Sequence, residues 1–83
     1  LYTVTFDLNA ADAKFLYDAQ SQIQIKRGRN FYSESIEVPL ASRPNYEFDG
    51  WYTSNVVKPT TGKFTDLTNV WGDIKLFARW VQA

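Results

Sequence analysis

Apolar and polar residues alternate along several short stretches of the chain, which predicts a β-rich fold. In residues 2–8, Tyr, Val, Phe and Leu alternate with Thr and Asp, and a period of two is typical of a strand with one buried face. Pro39 lies in the stretch 36–40. It limits the strand predicted there to an edge or an end of the sheet, because proline has no N–H to donate to a hydrogen-bond ladder. The same period recurs in residues 22–26, 36–40, 46–53 and 74–80.

Residues 10–20 are compatible with two structures. Several alanines favour a helix, and Asn9 is a suitable N-cap. The run Phe15-Leu16-Tyr17 fits the arm of a hairpin equally well, and periodicity cannot decide over so short a run. The residues alone therefore predict an α+β, mainly β fold, with one sheet of four to five strands and at most one short helix.

The apolar phases of these strands also predict the core. Gly50 lies inside the 46–53 strand, where a glycine usually marks a bulge, and a bulge lets Trp51 and Tyr52 change the face that they address. Aromatic residues make up 17% of the chain, and each ring buries about 150–250 Å². The predicted core consists of Val4, Phe6, Tyr46, Phe48, Gly50, Trp51, Ile74, Leu76, Ala78 and Trp80.

The chain contains neither His nor Cys, which excludes Ser-His and Cys-His nucleophiles. Its carboxylates lie in loops or in the polar phases of strands, as surface groups do. Asp7-Leu8-Asn9 begins like a calcium loop, but Asp12 replaces the glycine that an EF-hand needs. We therefore expect no enzymatic activity, no catalytic residues, no metal and no cofactor.

Nine basic and nine acidic residues give a net charge of zero, which argues against a nucleic-acid partner. No apolar run approaches the roughly 18–20 residues that cross a bilayer, so we expect no membrane insertion by this domain. The start of the chain is strand-like and resembles no signal peptide. We expect residues 1–83 to be a single domain cut from a longer protein.

Two sets of residues are candidates for a binding surface. The turn that contains Lys26, Arg27 and Arg29 is a candidate anion site for a phosphate polymer or a sulfated glycan, or else a solvated hairpin tip. A second set consists of aromatic residues outside the predicted core. If exposed, they can stack on sugar rings or contact a neighbouring repeat, although scattered surface aromatics are ordinary. These residues are Tyr32, Tyr52, Trp71 and Phe77.

Three separated motifs resemble a known family. Residues 44–53, PNYEFDGWYT, resemble the P-x-Y-x-F-x-G-W-Y-T stretch of the Listeria–Bacteroides repeat, also known from internalin B-repeats. Phe64 and residues 73–80, DIKLFARW, are similar to the family's Phe and its D-I-x-L-Y-A-x-W ending. Residues 2–9, YTVTFDLN, look like its Y-T-V-T-F-D-x-N start. The order is the same, and the likeness covers nearly the whole chain.

Smaller features agree with the family or depart from it. Gly28 and Pro39 look like its mid-repeat Gly and Pro. Asn9-Ala10-Ala11 stands where the family has N-G-G, while Asn45 replaces a Gly and Phe77 a Tyr. The segment 10–22 also looks longer than the typical hairpin, so the departures concern mainly the shape of the first loop.

The resemblance implies a β-grasp-like, ubiquitin-like fold whose first and last strands lie side by side and parallel. It also implies an extracellular module, secreted or anchored in a bacterial cell wall, often in tandem copies. The expected partners are neighbouring repeats and, as candidates, a host surface protein, a host glycan or a cell-wall polymer. We expect an adhesive spacer linked to virulence. The alternatives are a glycan-binding module with exposed aromatics and an interaction module that adds a partner strand to a free edge.

Overall fold

The computed structural model describes residues 1–53 and 63–83, which form two sheets and, within those ranges, no helix. The larger sheet has five strands in the order β3-β1-β7-β5-β6, and β2 pairs with β4 in the smaller one. The prediction of a mainly β fold with a mixed sheet is confirmed, whereas the β-grasp label stays a prediction. The strands are β1 Tyr2–Asp7, β2 Lys14–Phe15, β3 Gln22–Ile25, β4 Ala41–Ser42, β5 Tyr46–Tyr52, β6 Lys63–Phe64 and β7 Ile74–Gln82.

The first and last strands meet at the centre of the large sheet. β1 runs parallel to β7, with Val4 opposite Ile74 and Asp7 opposite Phe77, as the family resemblance implies. β1 is also antiparallel to β3, and β7 to β5. Since two neighbouring parallel strands begin at the same edge, the chain enters β1 at one end of the sheet and leaves β7 at the other.

Residues 10–20 form turns and the short strand β2 in place of a helix. Phe15 lies opposite Ala41 in the antiparallel β2–β4 pair, and the Leu16 amide donates to the Leu40 carbonyl over 2.9 Å. Of the two structures that the sequence leaves open, the structure adopts the one without a helix.

The prediction of a strand over 36–40 is wrong, because pairing begins only at Ala41. Pro39 has no amide to donate, and its carbonyl accepts the Trp51 indole N–H over 2.7 Å. The alternation there comes from an irregular segment, in which Ile36 and Val38 pack half-buried against the core. A period of two thus also arises where a loop covers a core.

Gly50 marks a bulge, as predicted. The pairing of β5 with β7 shifts between Phe48, which lies opposite Trp80, and Gly50, which lies opposite Arg79. The extra residue allows the side chains of Phe48 and Trp51 to point to the same face of the sheet. In a regular strand, residues three apart point to opposite faces. Gly50 has a φ of 139°, a region that disfavours residues with a Cβ.

The core lies on one face of the large sheet, beneath the loop segments. Of the predicted residues, five are fully buried and three are half-buried against them. Phe6 and Trp51 meet edge to face at 4.8 Å between ring centroids, and full burial of such a ring contributes about 1.5–3 kcal/mol. The buried residues are Val4, Phe6, Trp51, Leu76 and Ala78, and the half-buried ones are Phe48, Ile74 and Trp80.

Tyr46 departs from the core prediction. It is half-buried at the start of β5, and the guanidinium carbon of Arg43 lies 3.7 Å from its ring centroid. Tyr46 therefore packs under the Arg43 guanidinium at the end of the sheet and is not part of the buried core. The core also contains five buried residues outside the predicted set, namely Ile25, Phe31, Ala41, Phe64 and Val70.

Candidate functional site

The basic turn after β3 has a defined backbone. The Arg29 amide donates to the Lys26 carbonyl over 3.1 Å, which closes a β-turn with Gly28 at its third position. Gly28 has a φ of 75°, which is favourable for glycine at this position. The polar composition of the turn and its single glycine thus account for its shape.

A second segment, residues 69–71, holds this turn from the side. The Gly28 amide donates to the Val70 carbonyl over 2.7 Å, and the Val70 amide donates to the Arg29 carbonyl over 2.9 Å. Asn30 Nδ2 donates to Asn69 Oδ1 over 3.0 Å. Val70 itself is buried in the core, so a buried residue anchors both segments.

Trp71 lies against the turn. A Cβ placed on Gly28 would come within 3.0 Å of Trp71 Cζ3 and 3.2 Å of its Cη2, so the indole packs directly on the glycine backbone. The guanidinium carbon of Arg27 is 6.0 Å from the Trp71 ring centroid, at the outer limit of a cation–π contact. Trp71 nevertheless remains 65% exposed. We call Lys26, Arg27, Gly28, Arg29 and Trp71 the basic tip.

The three cations of the basic tip are exposed. Within residues 1–53 and 63–83 none of them has an ion pair, whereas Arg43 pairs with Asp12 and Lys75 with Asp7. Residues 54–62 contain no Asp or Glu. The charge of the tip is therefore available to an anion from solution.

Two of the four predicted surface aromatics lie apart from the basic tip and are accessible to different degrees. Tyr32 is 71% exposed, and its amide donates to the Asp66 carbonyl over 2.9 Å. Phe77 is half-buried on the outer face of the sheet, with Lys75 Nζ 5.4 Å from its ring centroid. Of the four aromatics, only Trp71 joins the predicted cations.

Tyr52 is a candidate for the binding surface only if it is exposed, and the structure does not expose it. The bulge at Gly50 turns the ring to the outer face of the sheet, but Tyr52 is buried there, with the guanidinium carbon of Arg79 3.6 Å from its centroid. The Tyr52 hydroxyl donates to Asp49 Oδ2 over 2.9 Å. Burial raises the pKa of Tyr52, and the hydrogen bond to Asp49 and its negative charge add to the rise, while Arg79 opposes it.

The free edge of β3 faces a groove of about 740 Å³. The Phe6 amide donates to the Ser21 carbonyl, so the hydrogen-bonded pairs with β1 fall on alternate residues and the backbone groups of Gln22 and Gln24 point away from it. Leu16 and Leu40 also line the groove. Strand addition at this edge stays a prediction.

Within the described ranges, no group of three or more His, Cys, Asp or Glu side chains is placed to hold a metal ion. No described helix is long and apolar enough to cross a membrane. The expectations of no catalysis, no metal and no cofactor stay predictions.

Sequence reasoning found the cations and Trp71 separately but missed their contact. About 43 residues separate Arg27 from Trp71 along the chain, as their numbers show, and only the pairing of β1 with both β3 and β7 brings them together. One signal was present: Gly28 in a charged turn is the kind of residue on which a large ring can pack closely.

A family model described as the Listeria-Bacteroides repeat domain matches residues 2–79 of the chain. The match begins in β1 and ends in β7, so it includes the whole basic tip. No curated protein matches the chain, and no solved structure matches it.

Proposed function

Because the chain belongs to the Listeria-Bacteroides repeat domain family, we propose that it is an extracellular structural module of a bacterial surface protein. Its role is to act as a stiff spacer that holds a distal binding region away from the cell wall and transmits tension along the parent chain. The observation that carries this proposal is the parallel pairing of the first and last strands at the centre of the sheet.

The parallel pairing gives the module a defined span. Val4 lies opposite Ile74, with two residue steps back to Tyr2 and eight steps onward to Gln82. At about 3.3 Å per step, the two ends of this path are about 33 Å apart. The longest extent of the molecule is 36 Å, so each module in a tandem array adds nearly its full length.

The same pairing resists tension. A force that pulls Leu1 and Ala83 apart slides β1 and β7 past each other in opposite directions. Their backbone hydrogen bonds are then loaded together, whereas a hairpin pulled at its open end loses its bonds one at a time. We define the β1–β7 pairing as the central seam.

Side chains close the central seam at both ends. At its start, the Thr3 amide donates to Asp73 Oδ1 over 2.9 Å. At its end, Trp80 Nε1 donates to the Leu8 carbonyl over 2.9 Å, and Asn9 Nδ2 to the Ala78 carbonyl over 3.3 Å. These bonds add a second set of links between the strands that bear the load.

Single-molecule force spectroscopy tests this role. The chain has no cysteine, so Leu1→Cys and Ala83→Cys provide unique attachment points. Attachment through Leu1→Cys and Lys26→Cys is the matched control, because Tyr2 lies opposite Ile25 and that force unzips β3 from β1. We expect a clearly higher unfolding force between positions 1 and 83 than between positions 1 and 26.

Trp80→Phe sharpens this test because it removes the indole N–H that donates to Leu8. The unfolding force between positions 1 and 83 should fall, while the force between positions 1 and 26 should change little. Equal forces in the two directions for the unmodified seam would contradict a load-bearing role.

The location has its own test. Antibodies against the folded chain should label intact cells of the bacterium that makes it, because the proposed spacer lies outside the cell. Labelling that appears only after the cells are lysed would contradict an extracellular module, whatever the outcome of the force measurement.

A further inference from the structure

We propose that the basic tip binds an anionic saccharide. In this arrangement a pyranose ring stacks on the exposed indole of Trp71, and a sulfate or carboxylate on the sugar binds the Arg27 guanidinium. Lys26 and Arg29 extend the positive surface along the turn. This inference is independent of the spacer role, because it concerns one end of the sheet and not the central seam.

Trp71 is exposed to solvent and is nevertheless held in place by the turn. Trp71 is 65% exposed, yet one side of its ring lies so near the Gly28 backbone that a Cβ there would be 3.0 Å from Trp71 Cζ3. An exposed ring that is already held in place loses little conformational freedom when a ligand packs on it. The C–H face of a pyranose is flat and apolar, and it matches an indole in size.

The backbone that carries Arg27 and Trp71 is fixed to the core. Two backbone hydrogen bonds join the Gly28–Arg29 backbone to Val70, and Val70 and Phe31 are buried in the core on either side of the tip. Arg27 and Trp71 therefore project from segments whose positions are set by the core. A binding group on such a support is preorganised for its ligand.

The basic tip concentrates positive charge at one place on the surface. Three exposed cations occupy four consecutive positions, and no described acid pairs with them. A guanidinium binds sulfate and carboxylate through two parallel hydrogen bonds. The net charge of the chain is zero, so this patch is a local feature of the tip.

The ring distinguishes a saccharide from a plain phosphate polymer. A polyphosphate would be held by the three cations alone, and Trp71 would make no difference to its affinity. An uncharged sugar would use Trp71 alone. The tip offers both groups within 6.0 Å, so the ligand that uses it fully carries both a sugar ring and a negative charge.

NMR titration of the whole chain tests the proposal with four probes: a heparin tetrasaccharide, an oligogalacturonate, neutral chitotetraose and inorganic tripolyphosphate. The first two contain rings with anions: heparin carries sulfates as well as carboxylates, and the oligogalacturonate carries carboxylates alone, so tighter heparin binding would indicate a contribution from sulfate. We expect them to shift the Trp71 indole N–H and the amides of residues 26–29 at lower concentrations than the other two probes.

Variants assign the contributions. Trp71→Ala should weaken heparin tetrasaccharide binding by about tenfold, the equivalent of ~1.4 kcal/mol, and leave tripolyphosphate binding unchanged. Arg27→Gln should weaken the binding of both anions. Lys14→Gln is the matched control, because it removes one exposed positive charge from β2, outside the tip, and it should leave all affinities nearly unchanged.

Gly28→Ala provides a second way to test the geometry, since the added Cβ would meet the Trp71 ring. It should lower saccharide affinity while all three cations remain. Raising the salt from about 0.1 M to about 1 M, which shortens the Debye length from about 10 Å to about 3 Å, should weaken the binding of charged probes.

Equal tetrasaccharide affinities for the parent and Trp71→Ala would overturn the proposal, as would an affinity that does not depend on salt. Absence of any shift at the tip with heparin and oligogalacturonate would also overturn it. Amide spectra of each variant, recorded without ligand, show whether the fold is retained. A failure here leaves the force measurement on the central seam unaffected.

Discussion

The buried aromatic cluster around Trp51 and the basic tip around Trp71 use the same side chain in opposite ways. Trp51 is 1% exposed, and its indole N–H donates to the Pro39 carbonyl over 2.7 Å. Trp71 is 65% exposed and packs on Gly28. The number of neighbouring rings separates the two positions: Phe6, Phe15 and Phe48 all contact Trp51.

The comparison shows that aromatic content alone does not make a core. Around Trp51, rings from β1, β2 and β5 converge on one face of the sheet. Trp71 lies just before β7, outside the strands, where it packs on the turn that contains Gly28. The first site contributes stability, and the second presents a surface. The free energies of unfolding of single variants test whether the two sites differ in this way.

The largest effect is expected for Trp51→Ala. Removing a fully buried ring leaves a cavity and an unpaired Pro39 carbonyl, so unfolding should become easier by about 3–5 kcal/mol. Urea denaturation followed by far-UV circular dichroism measures the change. A variant that unfolds at the parent's urea concentration would show that the cluster around Trp51 is not the centre of the core.

Gly50→Ala tests the bulge that turns Trp51 inward. A φ of 139° is unfavourable for alanine, and the strain should lower the free energy of unfolding by about 1–3 kcal/mol. The added Cβ would also meet Lys63 Cε at 2.9 Å, but the flexible end of a lysine can move away. Gly72→Ala is the control, because a Cβ there meets nothing within 4 Å.

Tyr52→Phe tests the buried ring on the outer face. Losing the hydrogen bond to Asp49 should lower stability by about 1–2 kcal/mol near neutral pH. The raised pKa of Tyr52 means that the folded state favours the neutral hydroxyl. Its contribution is therefore fully present below pH 10.0, the ordinary value for tyrosine, and disappears as the pH rises through the folded-state pKa.

The measurement is the difference in unfolding free energy between the parent and Tyr52→Phe as a function of pH. This difference should shrink above pH 10.0. Tyr32→Phe is the control, since it removes the same hydroxyl from a side chain that is 71% exposed. A constant difference across the alkaline range would contradict the assigned environment of Tyr52.

The smallest effect is expected for Trp71→Ala. The ring packs on one glycine and leaves most of its surface in solvent, so the free energy of unfolding should change by less than about 0.5 kcal/mol. Urea denaturation under the same conditions as for Trp51→Ala makes the two values directly comparable. A loss as large as that of Trp51→Ala would assign Trp71 to the core and remove the contrast.

Local patterns predicted much of the sheet. Four of the five alternating stretches correspond to β1, β3, β5 and β7, and the glycine inside β5 correctly indicated the bulge. These features depend on the alternation of neighbouring side chains and on the backbone freedom of glycine. Both are properties of a few consecutive residues, so they can be read without knowing the fold.

Other features depended on contacts between distant parts of the chain. The segment 36–40 alternates like a strand, yet it does not pair as one. The Pro39 carbonyl instead accepts a hydrogen bond from the buried Trp51 indole. Tyr52 is buried on the outer face, where Arg79 of the neighbouring strand β7 lies over its ring. Phe31 is buried although no period of two surrounds it. In each case the deciding partner lies elsewhere in the sequence.

Local residue patterns were enough to identify the main strands, the bulge and the three cations of one turn. The contact between this turn and Trp71 is visible only in the folded chain, whereas the pairing of β1 with β7 was implied by the family resemblance and not by the alternating pattern. The physical reason is that alternation specifies which side of a strand is apolar but not which strand lies beside it. Neighbours are chosen by the packing of the whole core.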